Sequence, residues 1–114
     1  MVRKFYRTCE DLKRELGAAE ALEIINYLEP KLEERQQQLI QIIRIKNYAE
    51  IARYAHKTKG SIHYYGTHTL SNLLDKLINV EYNPELINDY FIDLINAEFN
   101  FILHYWRNCK IDKK

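Results

Sequence analysis

The chain has 114 residues, 46% hydrophobic and 29% charged, with only three glycines and two prolines; that is enough to bury one core without staples and too little Gly and Pro for a disordered protein. A formal net charge of +1 excludes a general nucleic-acid binder, whose phosphate affinity needs many uncompensated Lys and Arg on one face. One all-α domain over residues 1–114 is expected; with no apolar core after Met1-Val2-Arg3-Lys4-Phe5 and no apolar run long enough for a bilayer, the expectation is a cytoplasmic protein without a membrane partner.

The first predicted element is a short helix over 8–16, with Thr8 as N-cap, Glu10 and Asp11 in its first turn and Gly17 as its stop, packed as a lid on the main body. A longer helix starts near Ala18. Its apolar positions are Leu22, Ile25, Leu28, Leu32, Leu39, Ile42 and Ile43, mostly three or four apart, and Pro30 should kink or split it. Asn47-Tyr48-Ala49-Glu50 has the form of a capping box and starts the next helix. That helix carries the stripe Tyr48, Ile51, Ala55, Thr58, Ile62 and Tyr65, which crosses Gly60 without a change of phase and so places Gly60 inside the helix. After Gly66 a helix over about 69–79 carries Leu70, Leu73, Leu74 and Leu77. The last one starts at Asn83-Pro84-Glu85, with proline at its first position, and reaches about Asn108. Short connections between long amphipathic helices make antiparallel neighbours, so the expected architecture is an up-down four-helix bundle with an additional short N-terminal helix.

Charge is distributed unevenly along this framework. Arg44, Lys46, Arg53, Lys57 and Lys59 lie close in sequence, whereas residues 81–100 carry Glu81, Glu85, Asp89, Asp93 and Glu98 and no basic residue, so a local basic surface is expected near His56. Cys9 and Cys109 stand near opposite ends without Cys-x-x-Cys spacing, and two reduced thiols are expected.

His56 is the residue on which a functional reading turns. At about 100° per residue, His56, Gly60 and His63 fall on one face away from the core stripe, together with Ala49 and Ala52. Small side chains around an imidazole leave room for another protein to bring a reactive group to the ring. Glycine inside a helix costs roughly 1 kcal/mol relative to alanine, and close approach by a partner is a reason to keep it. Neutral imidazole is a competent nucleophile near neutrality. Lys59, one turn along, can place its ammonium near the oxygens of a transferred phosphoryl group. Lys57 points elsewhere, and His63 reads either as a partly exposed neighbour or as lining of the docking surface. No two of His56, His63, His68 and His104 have the close helical spacing of a zinc motif, with or without Asp75, and no Gly-rich phosphate loop or hydrolase triad can be placed. No metal and no bound cofactor are expected.

The run Ala55-His56-Lys57-Thr58-Lys59-Gly60-Ser61, followed by Gly66 and Leu70, resembles histidine-containing phosphotransfer (HPt) domains, and the helix order is similar to theirs over nearly the whole chain. The resemblance implies that His56 accepts a phosphoryl group from a receiver-domain aspartate and passes it to another, with Lys59 and Gly60 supporting the exchange and Ala52, Arg53 and His63 in the docking surface. The implied partners of this phosphorelay intermediate in two-component signal transduction are response-regulator receiver domains, which supply Mg2+, and a hybrid sensor histidine kinase. The chain itself is then a monomeric phosphoprotein without kinase activity. Thr58, Ile62 and Tyr65 depart from the smaller residues usual in that family. Ile78 stands where the family often has a polar side chain that orients the histidine; Asp75, one turn earlier, is the nearest substitute, and reads equally as a solvated carboxylate. Two other readings stand beside this one. One is a degenerate HPt-like interaction module that regulates a kinase or receiver without phosphoryl chemistry, and the other is an enzyme using His56 as general base, for which no second catalytic group is evident.

Overall fold

Thr8 opens the first helix through a reciprocal cap: its hydroxyl accepts from the Asp11 N–H at 3.0 Å and the Asp11 carboxylate accepts from the Thr8 N–H at 3.0 Å. In the computed structural model, which describes residues 4–111, this helix is α1, Cys9–Leu16; Met1, Val2 and Arg3 of the N-terminal run lie outside the described residues. Gly17, at φ 88°, ends α1 and leads straight into α2, Ala18–Ile45. α3 is Tyr48–Tyr65, α4 is His68–Ile78, and α5 is Asp89–Ile111, with single 3-10 turns at Val80–Tyr82 and Pro84–Leu86 between the last two. The described residues contain no strand. One isolated bridge joins Phe5 to Thr67.

Two expectations about these elements are corrected and a third is narrowed. Of the kink or split expected at Pro30, the split does not occur, since α2 runs unbroken for 28 residues. Proline removes the N–H that would bond the Asn26 carbonyl, but Asn26 and Pro30 are both exposed, so water is available to that carbonyl. Leu22 is exposed rather than inward; Ala21 takes the core position, followed by Ile25 and Leu32 in the same stripe. The last helix does not begin at Asn83. Pro84 starts only a 3-10 turn, and α5 is capped by Asn88, whose side-chain oxygen accepts from the Phe91 N–H at 2.9 Å.

The predicted stripe of α3 is the buried one: Ile51, Ala55, Thr58, Ile62 and Tyr65 are buried and Tyr48 is half-buried. Ile51, Ala55, Ile62 and Tyr65 join Leu70, Leu74 and Leu77 of α4 and Ile95, Phe99, Ile102 and Trp106 of α5 in one apolar cluster, to which α1 adds Cys9 and Leu12. Trp106 satisfies its indole N–H on the Tyr65 carbonyl at 2.9 Å, fixing the end of α3 against α5.

Polar pairs along the helix seams report the relative directions. Gln38 meets Tyr54 and Arg35 meets Thr58, so α2 and α3 are antiparallel. Gln36 donates to Asn96 and Asn100, while Glu29 takes both Arg107 and Lys110, so α2 and α5 are antiparallel too. Hydrogen bonds first from Lys110 and then from Arg107 hold the Glu29 carboxyl below its ordinary range. A depressed carboxyl stabilises the fold above its unfolded pKa, and that contribution is lost as the pH falls through the lower folded value. No described helix is long and apolar enough to cross a membrane.

Candidate functional site

The ring of His56 stands on the outer face of α3, and no described residue gives it a hydrogen bond, an ion pair or a ring contact. Asn47 caps the helix that carries it, accepting from the Glu50 N–H at 3.2 Å. Only that half of the expected capping box forms, because Arg53 occupies the Glu50 carboxylate. Of the five cations expected to make a basic surface, Arg53 is therefore paired within its own helix, Lys59 is paired with Asp75, and Arg44, Lys46 and Lys57 are exposed.

One turn beyond His56, Lys59 reaches across to α4. Its ammonium engages the Asp75 carboxylate, with the two side chains 41% and 47% exposed, so solvent screens the pair and a stronger anion can compete for the lysine. Asp75 is thus placed on Lys59, and no described contact links it to the His56 ring. Gly60 is exposed and, apart from its own helix backbone, nothing lies within 4 Å of where a Cβ would project. Ala49 is exposed and Ala52 half-buried, so the surface beside the imidazole is low as well as open.

His63 marks the far edge of this face, and its neighbour was not legible in the sequence. Residues 4–8 fold back over the corner between α3 and α4: the Tyr6 N–H donates to the Gly66 carbonyl at 3.1 Å and the His68 N–H donates to the Lys4 carbonyl at 3.0 Å. The Tyr6 ring lies 4.9 Å from that of His63, edge-on at 67°, and 4.1 Å from that of His68 at 32°. His104 is elsewhere, on α5, bonded to Asn108 at 3.1 Å. Among the described residues no three His, Cys, Asp or Glu side chains converge as metal ligands would.

The two glycines of the motif serve opposite needs. At Gly66 a Cβ would fall 2.6 Å from the Ile62 Cβ and 3.0 Å from the Ile62 carbonyl oxygen, while its φ of −101° is open to any residue, so space alone demands glycine there. Gly66→Ala is expected to destabilise by roughly 1–3 kcal/mol through overpacking. Gly60→Ala is expected to stabilise by roughly 0.4–1 kcal/mol through lower unfolded-state entropy, provided helical backbone angles are kept. Urea unfolding of the two variants side by side checks both signs.

Comparison with family models, with curated proteins and with solved structures returns no match to this chain.

Proposed function

We propose that this chain is a phosphorelay intermediate: a phosphohistidine carrier that takes a phosphoryl group from the aspartate of one receiver domain onto His56 and gives it to another. The observation that carries the reading is an exposed imidazole to which no described residue gives a hydrogen bond, ion pair or ring contact, on a low surface, with a glycine that has open space above it and a displaceable lysine one turn away. The helices fit it as an antiparallel up-down four-helix bundle of α2 to α5 with α1 added at its side, in keeping with the resemblance of the motif to HPt domains.

In the forward step a ring-nitrogen lone pair of His56 attacks the phosphorus of an aspartyl phosphate. The N–P bond forms, the P–O bond to the aspartate breaks, and the carboxylate departs with that electron pair. The proton on the second ring nitrogen is free to pass to solvent, since the ring is exposed. Charge on the transferring oxygens falls within reach of Lys59, which exchanges the Asp75 carboxylate for the phosphoryl group. The receiver domain supplies its own acidic pocket and Mg2+; this chain holds the nucleophile and contributes no kinase activity. A hybrid sensor histidine kinase is the upstream partner and the cytoplasm the setting.

Gly60 gives this proposal a test of opposite sign to stability. Gly60→Gln keeps the isolated fold but places a long side chain where the receiver's aspartate must approach, so transfer should fall while the melting temperature holds. Direct proof comes from incubating the purified chain with a panel of phosphorylated receiver domains and mapping any acid-labile phosphate. A label on His56 is expected; no label from any receiver, with the receivers competent toward another carrier, sinks the carrier reading and leaves the non-phosphorylated interaction module.

A further inference from the structure

Cys9 and Cys109 are 100 positions apart in the chain, yet the fold brings both to one cavity. Cys9 is the first residue of α1 and 8% exposed, and Cys109 is half-buried near the end of α5. Both are free thiols lining one cavity of about 470 Å³, together with Thr8, Glu10, Lys13, Tyr105 and Asn108. Tyr105 joins the two ends. Its hydroxyl accepts from the Cys9 N–H at 2.9 Å while interacting with the Cys109 thiol, and its ring stacks on Phe5 at 4.0 Å.

We propose that Cys9 and Cys109 are a reversible dithiol–disulfide site whose oxidation ties α1 covalently to α5. α1 otherwise rests chiefly on α2, so the bond would add a link that packing alone supplies weakly. The oxidant class is a small linear disulfide such as oxidised glutathione, for which the open cavity gives access. A thiolate of the pair attacks one sulfur of that disulfide, forming a mixed disulfide and releasing one small thiol. The second cysteine then attacks the protein-side sulfur, closing the internal S–S bond and releasing the second small thiol. Two electrons pass from the protein to the oxidant, and the two cysteine protons end on the two released thiols. Burial first, then hydrogen bonding and charge from Cys9, push the Cys109 thiol up to about 12, with Tyr105 and Lys13 acting the other way.

The test equilibrates the full chain in glutathione buffers of stepped redox ratio, quenches with acid and maps the cysteines by mass spectrometry. The expected product is a monomer short of two hydrogens, with the peptides of Cys9 and Cys109 joined, melting on the order of 10 °C higher and reverting on reduction. Covalent dimers, glutathione adducts without an internal link, or free thiols persisting in the most oxidising buffer would each overturn the proposal. All three readings use the unsubstituted chain, so none depends on a cysteine variant folding.

Discussion

On the proposed carrier role, His56→Gln is expected to abolish phosphoryl acceptance and leave the fold intact. The side chain is exposed and makes no hydrogen bond, ion pair or ring contact with a described residue, so its replacement removes no buried packing and orphans no polar group. Surface substitutions of that kind change stability by about 0.5 kcal/mol or less. Glutamine keeps polarity and approximate length but has no nucleophilic nitrogen, since its amide lone pair is delocalised. Label transfer from a phosphorylated receiver should therefore fall to background, with an unchanged circular dichroism spectrum and melting temperature. Receiver binding measured in parallel should stay within a few-fold of the original chain. Labelling that persists in a well-folded His56→Gln protein places the acceptor at another residue.

Thr67→Val is expected to destabilise the fold strongly. Thr67 is fully buried and its hydroxyl has two engagements: it accepts from the Leu70 N–H at 3.1 Å, capping α4, and it donates to a Glu98 carboxylate oxygen at 2.6 Å. Glu98 is itself only 2% exposed, on α5. Valine has nearly the shape of threonine but neither bond, so the start of α4 loses its cap and a buried carboxylate loses one of its donors. A lost N-cap and a lost hydrogen bond to a carboxylate together cost about 2–4 kcal/mol. Urea unfolding should show the midpoint shift at constant slope, and the Leu70 amide should exchange faster. Thr67→Ser retains the hydroxyl and should recover most of the loss; a Thr67→Val protein as stable as the original chain shows that the two hydroxyl bonds do not hold this corner.

The parts of this molecule that were legible in its sequence are those governed by local rules. The α1 cap needs only Thr8 and Asp11 three residues apart, and the α3 stripe from Ile51 to Tyr65 is set by helical period, which also turns His56 and Gly60 outward. Errors arose where two local signals competed. Asn83-Pro84 and Asn88 are both acceptable helix starts, and the structure starts α5 at Asp89 with Ile87 and Phe91 buried. Ala21 displaced Leu22 because the inward side of α2 is fixed by the helices around it, which no window of α2 contains. Features that join residues distant in sequence were invisible for the same reason: Lys59 with Asp75, Thr67 with Glu98, and the cavity that the two cysteines share. Residues 4–8 carry no periodic pattern, because an extended segment held by one bridge has no face to repeat.

That segment also sets two of the four histidines apart spectroscopically. Tyr6 lies against His63 and His68 at different angles, so its ring current moves their imidazole protons by unequal amounts, whereas among the described residues no ring packs on His56, and His104 sits on another helix beside Asn108. The Tyr6-shifted pair in the imidazole region of a proton spectrum is therefore an internal report, readable on the unmodified protein, that the corner between α3 and α4 remains closed while His56 is tested as a phosphoryl acceptor.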